Sequence, residues 1–249
     1  MFSTKKTAAL SAALLALVGT SDVLANPMVV RSTGPSAKAF PTGKALPGDA
    51  KLALKAGDLI TVLDSGGTRV LKGPGMIAVS GSTAASGMGF GQLIANTGAR
   101  QARTGATRSA IGGGPARSPN VWYVDASKSG SMCVADPASL SVWRPDNSAA
   151  ASLAVTRISD GKAITLDFRA GQSVRAWPAA DLPVTQGGQY KIAGADAKSA
   201  ATVKVVLLGS TPEGLEAVAT NLLQKGCTNQ MDVVVDGTMQ QTQVAVATP

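Results

Sequence analysis

Histidine is absent from the 249-residue chain. Without an imidazole, Ser-His-Asp and Cys-His catalysis, His-ligated zinc and histidine pH switches all fall away. Glutamate occurs only as Glu213 and Glu216. Aromatic residues make up 4% and charged residues 15%, so the core must come chiefly from Ala, Val and Leu. The hydrophobic share of 45% excludes a wholly disordered chain, and the length allows one or two domains. No run after the first residues is long and apolar enough to span a bilayer. Oxygen ligands at calcium spacing are missing, and no metal or cofactor is expected.

The first 25 residues read as a secretory signal. Lys5 and Lys6 supply the positive start, Ala8 to Val18 is apolar, and Val23-Leu24-Ala25 offers small or medium residues at a cleavage site. The apolar run, about a dozen residues, falls short of the roughly 20 needed for a membrane anchor. No cysteine near residue 25 would take a lipid. The expected location is therefore periplasmic or extracellular, and nucleic acid is not expected as a partner. Removing the leader takes two lysines and one aspartate from 23 basic and 15 acidic residues and leaves +7. Such a charge favours an anionic polymer, a polysaccharide, a membrane surface or an acidic envelope protein; it also serves simple solubility.

Cys133 and Cys227 are the two cysteines. An even count in an exported chain suggests one disulfide. Closing that long loop would stabilise by about 4.7 kcal/mol at most in the chain-entropy model. The alternative is a reactive thiol, activated by a cation because no imidazole is available.

Residues 26–81 form a small β region. Val29 and Val30 open it, and Lys51 to Lys55 alternates with Leu52 and Leu54 on one face. Leu59 to Leu63 is rich in β-formers, Asp64-Ser65-Gly66-Gly67 signals a hairpin, and Thr68 to Leu71 returns. Gly73-Pro74-Gly75 turns again before Met76 to Val79. The run Leu54-Lys55-Ala56-Gly57-Asp58-Leu59-Ile60, then Asp64 to Thr68 and Gly73-Pro74-Gly75, resembles the repeating strand units of FecR-type periplasmic domains. That resemblance covers about 30 residues. It implies short strands punctuated by these turns and a periplasmic binding or assembly role. The transmembrane and cytoplasmic parts of a full FecR-type regulator have no counterpart here.

Residues 82–119 are rich in Gly, Ala, Ser, Thr and Arg. Arg100, Arg103, Arg108 and Arg117 occur with no acid among them, and would contact phosphate or carboxylate groups or simply keep a spacer solvated. The segment reads as a linker with a short helix from Gly91 to Arg103. Gly112-Gly113-Gly114-Pro115 is no phosphate loop, because no Lys-Ser/Thr follows.

Residues 120–236 read as the main domain. Strands are expected at Val121–Val124, Met132–Ala135, Leu140–Trp143, Leu153–Ile158, Ala163–Phe168, Ser173–Trp177, Gln189–Ile192 and Thr202–Leu208. Ile164, Leu166 and Phe168 share one face, while Thr165 and Asp167 share the other. Turn signals between the strands suggest an antiparallel β-sandwich or barrel-like fold. A helix over 211–225 carries an apolar stripe of Leu215, Val218, Leu222 and Leu223. Ser210 or Thr211 would cap it, Pro212, Glu213 and Glu216 suit its first turn, and Gly226 its end. Met231–Val235 reads as a closing strand, and 237–249 as a mobile tail.

Trp122, Trp143 and Trp177 are each followed within four residues by an aspartate: Asp125, Asp146 and Asp181. Exposed, they would stack on sugar rings; buried, they would fill the core. Asp125, Asp136, Asp146, Asp160 and Asp167 are scattered, and Asp136, Asp146, Asp160 and Asp181 sit at turn signals. No two are singled out as the carboxylate pair of a glycosidase. The expected protein is mainly β, with one packed helix and a preceding small β region. Its expected role is non-catalytic binding or assembly, with a glycan-binding module or a His-independent envelope enzyme as rivals.

Overall fold

A computed structural model describes residues 26–79, 88–94, 116–194 and 200–246. The expected signal segment, together with Arg100, Arg103 and Arg108, lies outside them. Among the described residues strand positions outnumber helical ones, so the protein is mainly β.

The first β unit holds β1 (Met28–Thr33), β2 (Lys51–Leu54), β3 (Leu59–Asp64), β4 (Gly67–Lys72) and β5 (Gly75–Ala78). β1, β3 and β4 form one antiparallel sheet, and β2 pairs with β5 in another. Alternation decides the faces: Leu52 and Leu54 point inward to meet Val29, Ile60, Val62 and Leu71 in a shared core. The tight turn between β3 and β4 closes at Asp64–Gly67, and Asp64 accepts the Gly66 N–H at 2.8 Å. Asp58 of the Gly-Asp turn is fully buried and accepts the N–H groups of Ser36 and Lys55 at 2.8 and 2.6 Å. Gly34 makes room for it. Its φ is +103°, and a Cβ there would stand 2.6 Å from Asp58 Oδ1.

The second unit pairs a five-stranded sheet with a three-stranded one. The strands are β6 (Tyr123–Asp125), β7 (Gly130–Val134), β8 (Ser141–Trp143), β9 (Ala151–Arg157), β10 (Ala163–Phe168), β11 (Val174–Ala176), β12 (Gln189–Gly194) and β13 (Ala200–Leu207). Their orders are β10-β9-β12-β13-β7 and β11-β8-β6. Val124 and Val142 of the small sheet share a core with Val155, Leu166, Phe168, Tyr190, Ile192, Val203 and Val205 of the large one. This is a sandwich, and no barrel closes among the described residues. Most pairings are antiparallel, as expected, with two exceptions. β7 runs parallel to β13, and β6 parallel to β8. Alternation reports which face a residue takes, whereas strand direction follows from how the chain returns.

Among the described residues, three α-helices form a layer between the two units: α1 (Met88–Ile94), α2 (Leu215–Gln224) and α3 (Thr228–Val246). α2 begins later than its cap signals suggest. Gly214, at φ +81°, is the N-cap and offers no side-chain cap, because glycine has no side chain. The larger correction is α3. Met231–Val235 is helix rather than strand, and the helix runs on through most of the expected tail. Cys227, Met231, Val234, Val235 and Thr238 are buried at helical spacing, so packing overrides the β preference of three successive valines. Met28, Val30 and Leu63 from the first unit meet Val121, Trp122 and Cys133 from the second in one core with Leu215, Val218, Leu222, Met231 and Val235. The two β regions are therefore joined by a shared apolar core as well as by the chain.

Cys133 and Cys227 form a disulfide, with Cα atoms 5.9 Å apart. It ties β7 to the α2–α3 junction, where Gly226 (φ +71°) ends α2. Among the described residues no helix is long and apolar enough to cross a membrane.

Candidate functional site

A cleft of about 730 Å³ opens where the first unit meets the helical layer. Ser65, Gly66 and Gly67 of the β3–β4 turn form one wall, and Glu213, Gly214 and the first half of α2 as far as Asn221 form the other. Phe90 of α1 and Thr238 of α3 complete the lining. The sequence builds each wall locally. The two-residue turn is short enough to project as a lip, and Asp64 holds it by accepting the Gly66 N–H. Arg69 braces the base of that hairpin, pairing with Asp64 at 2.5 Å and donating to the Val79 carbonyl at 2.7 Å. Gly214 swings the chain into α2, which leaves Glu213 and Glu216 exposed at the rim and turns Leu215 into the core at 8% exposure.

The cleft thus carries the chain's only two glutamates. Neither makes an ion pair with another described residue. Both sit near the positive end of α2, whose first N–H groups stabilise negative charge. Apolar surface from Phe90, Leu215 and Ala217 lies beside hydroxyl and amide groups from Thr220 and Asn221. Asn221 itself donates to the Ala217 carbonyl, and Thr238 donates to the Val234 carbonyl, so both are held in place. Such a lining suits recognition of a ligand that is partly apolar and carries positive charge.

The residues marked by sequence go elsewhere. Trp122, Trp143 and Trp177 are buried, at 6%, 4% and 5% exposure. This corrects the stacking expectation: no ring face is left for a sugar, because aromatics are so scarce that the cores use all three. Trp177 donates its indole N–H to the Leu182 carbonyl at 2.7 Å and meets Tyr190 edge to face, with centroids 5.1 Å apart. The tyrosine hydroxyl in turn donates to the Pro183 carbonyl. The aspartates make turns. Asp125, Asp136 and Asp146 accept the N–H groups of Ser127, Ala138 and Ser148, each at 2.9 Å. Hydrogen bonds from serine hydroxyls and backbone N–H groups hold Asp136 and Asp146 below the usual carboxylate range. Asp160 is held at about 2 by its hydrogen bonds from Arg157, joined by the Lys162 N–H.

Arg117 does not stand free for an anionic polymer. Its Nε lies 3.3 Å from Asp236, whose other oxygen takes Arg31 Nη1 at 3.2 Å, while Arg31 Nη2 pairs with Asp232. This network fastens β1 and the start of the second unit to α3. Two side chains that hold the fold together escape the sequence reading. Gln230 holds the outer edge of β7, accepting the Cys133 N–H at 2.7 Å and donating to the Cys133 and Val121 carbonyls. Arg144, at 7% exposure, donates to the carbonyls of Ala149, Arg169 and Gln172 and lies over the Phe168 ring. The helical spacing of Gln230 from Cys227 was a signal for the first; nothing in sequence flags the second. No family model matches the chain, and neither a curated protein nor a solved structure matches it.

Proposed function

We propose that the chain is an exported, non-catalytic binding protein of the bacterial periplasm or cell surface, and that the cleft between the β3–β4 turn and α2 is its binding site. One observation carries this reading: a cleft of about 730 Å³ sets apolar side chains beside the only two glutamates, neither ion-paired with another described residue, on a chain of net charge +8. A partner segment bearing Lys or Arg beside apolar side chains complements it. The disulfide supports an oxidising compartment. The strands and turns at residues 51–78 support a kinship with FecR-type periplasmic β segments.

The test uses the chain as bait in an envelope fraction, beside Leu215→Asp and a Glu213→Gln/Glu216→Gln variant. Folding of both is checked by circular dichroism. The reading expects a discrete partner retained by the native chain and lost from both variants. Equal retention by all three, or an intact leader on chains recovered from the cytosol, would overturn it.

A further inference from the structure

Among the described residues, the backbone of β10 has one side without a partner strand. In the β9–β10 hairpin the Arg157 N–H donates to the Lys162 carbonyl at 2.8 Å. Antiparallel pairing alternates, so Ile164, Leu166 and Phe168 spend their backbone groups on Val155, Leu153 and Ala151. On the other side of β9 the same alternation holds, since the Ile158 N–H donates to the Gln189 carbonyl. The N–H and C=O groups of Ala163, Thr165 and Asp167 therefore point away from the sheet. All three residues are exposed, and β10 is the terminal strand of its sheet.

Two other sheet edges are covered. Gln230 occupies the Cys133 backbone on β7 at the opposite end of the same sheet. The segment Gly43–Leu46 bonds to Pro27 and Val29 at the start of β1. Against that pattern β10 carries none of the usual protection: no proline, no bulge in its register, and a single charged residue, Asp167.

We infer that β10 pairs antiparallel with β10 of a second copy of this chain, joining two five-stranded sheets into one of ten strands. The strand is self-complementary about Thr165. In that register Thr165 meets Thr165 of the other copy, and Ala163 meets Asp167. Each of these pairs has outward N–H and C=O groups on both sides, so the ladder closes without a slip. On the core face Ile164 meets Leu166, which continues the apolar layer across the junction. Lys162 lies opposite Phe168, and Arg169 opposite Gly161 next to Asp160. No like charges face one another, and the cation at one strand end lies by the acidic turn of the other copy. This pairing is independent of the cleft.

Sedimentation of the full chain over a wide concentration range tests it. A monomer–dimer equilibrium is expected. Thr165→Pro removes only an outward N–H, leaves the pairing with β9 intact and fits an edge strand. It deletes the two central hydrogen bonds of the symmetric ladder and should weaken dimerisation roughly tenfold. Thr165→Ser should not. Hydrogen exchange on the native chain gives a second reading: the amides of Ala163, Thr165 and Asp167 should gain protection as the dimer forms. A chain that stays monomeric, a dimer indifferent to Thr165→Pro, or those amides exchanging freely within the dimer would each overturn the inference.

Discussion

Gln230 takes the place of a neighbouring strand along β7. Its amide has one acceptor and two donors, and all three find backbone partners at 2.7–2.9 Å in a site where the residue is 3% exposed. The edge of the five-stranded sheet is thereby sealed by a side chain from α3, beside the disulfide. Gln230→Ala would leave one N–H and two carbonyls without these bonds in a buried place. The expected cost is about 3 kcal/mol, read as a lower urea midpoint with an unchanged slope. Gln230→Glu should be no rescue, because a carboxylate has no N–H to give the two carbonyls. Arg144 follows the same logic at the β8–β10 corner, where it fills the bend with donors and needs no carboxylate.

The helices show how far local signals carry. α2 was legible from its apolar stripe, and its end from Gly226. Its start was not, because Ser210, Thr211 and Pro212 are good cap residues that the chain does not use; Gly214 turns it instead. α3 was misread because Met231-Asp232-Val233-Val234-Val235 is β-like taken alone. Its helical faces become clear only with partners: Met231, Val234 and Val235 bury against α2, while Asp232 and Asp236 meet Arg31 and Arg117. The disulfide is the covalent part of this layer. Both cysteines are fully buried, so a reductant should leave the native chain oxidised until denaturant opens it. A Cys133→Ser/Cys227→Ser variant should lose about 2–5 kcal/mol, measured by chemical denaturation against the oxidised chain. An unchanged midpoint would mean that Gln230 and the apolar core alone hold β7 to the helices.

At the scale of the whole molecule, acid stability gathers the turn aspartates into one property. Burial alone would raise the Asp58 carboxyl, yet hydrogen bonds from the Ser36 hydroxyl and N–H and from the Lys55 N–H hold it below its ordinary value. Asp136 and Asp146 are lowered as well, and Asp160 titrates at about 2. Each carboxyl binds its proton more weakly when folded than when unfolded. Their stabilisation is therefore full above the unfolded carboxylate range, near pH ~4, and is lost as the pH falls toward 2. The melting temperature should hold steady through the neutral range and drop steeply below pH ~4. Asp58→Asn should melt lower at neutral pH and show a shallower acid slope, since its amide sets a donor against a backbone N–H. A calorimetric pH series checks both. Because one core joins both β units through the helices, each melt should show a single transition.

Alternation marked β2 and β10, and runs of β-forming residues between turn signals marked most of the other strands, because both are local properties. Counting cysteines determined the bridge. Only the tertiary structure decided that β7 and β6 lie parallel to their neighbours, that the last segment coils instead of extending, that all three tryptophans are inside, and that Glu213 and Glu216 come to face the β3–β4 turn across a cleft. Those outcomes depend on surfaces brought together from distant parts of the chain, and no window of neighbouring residues contains them.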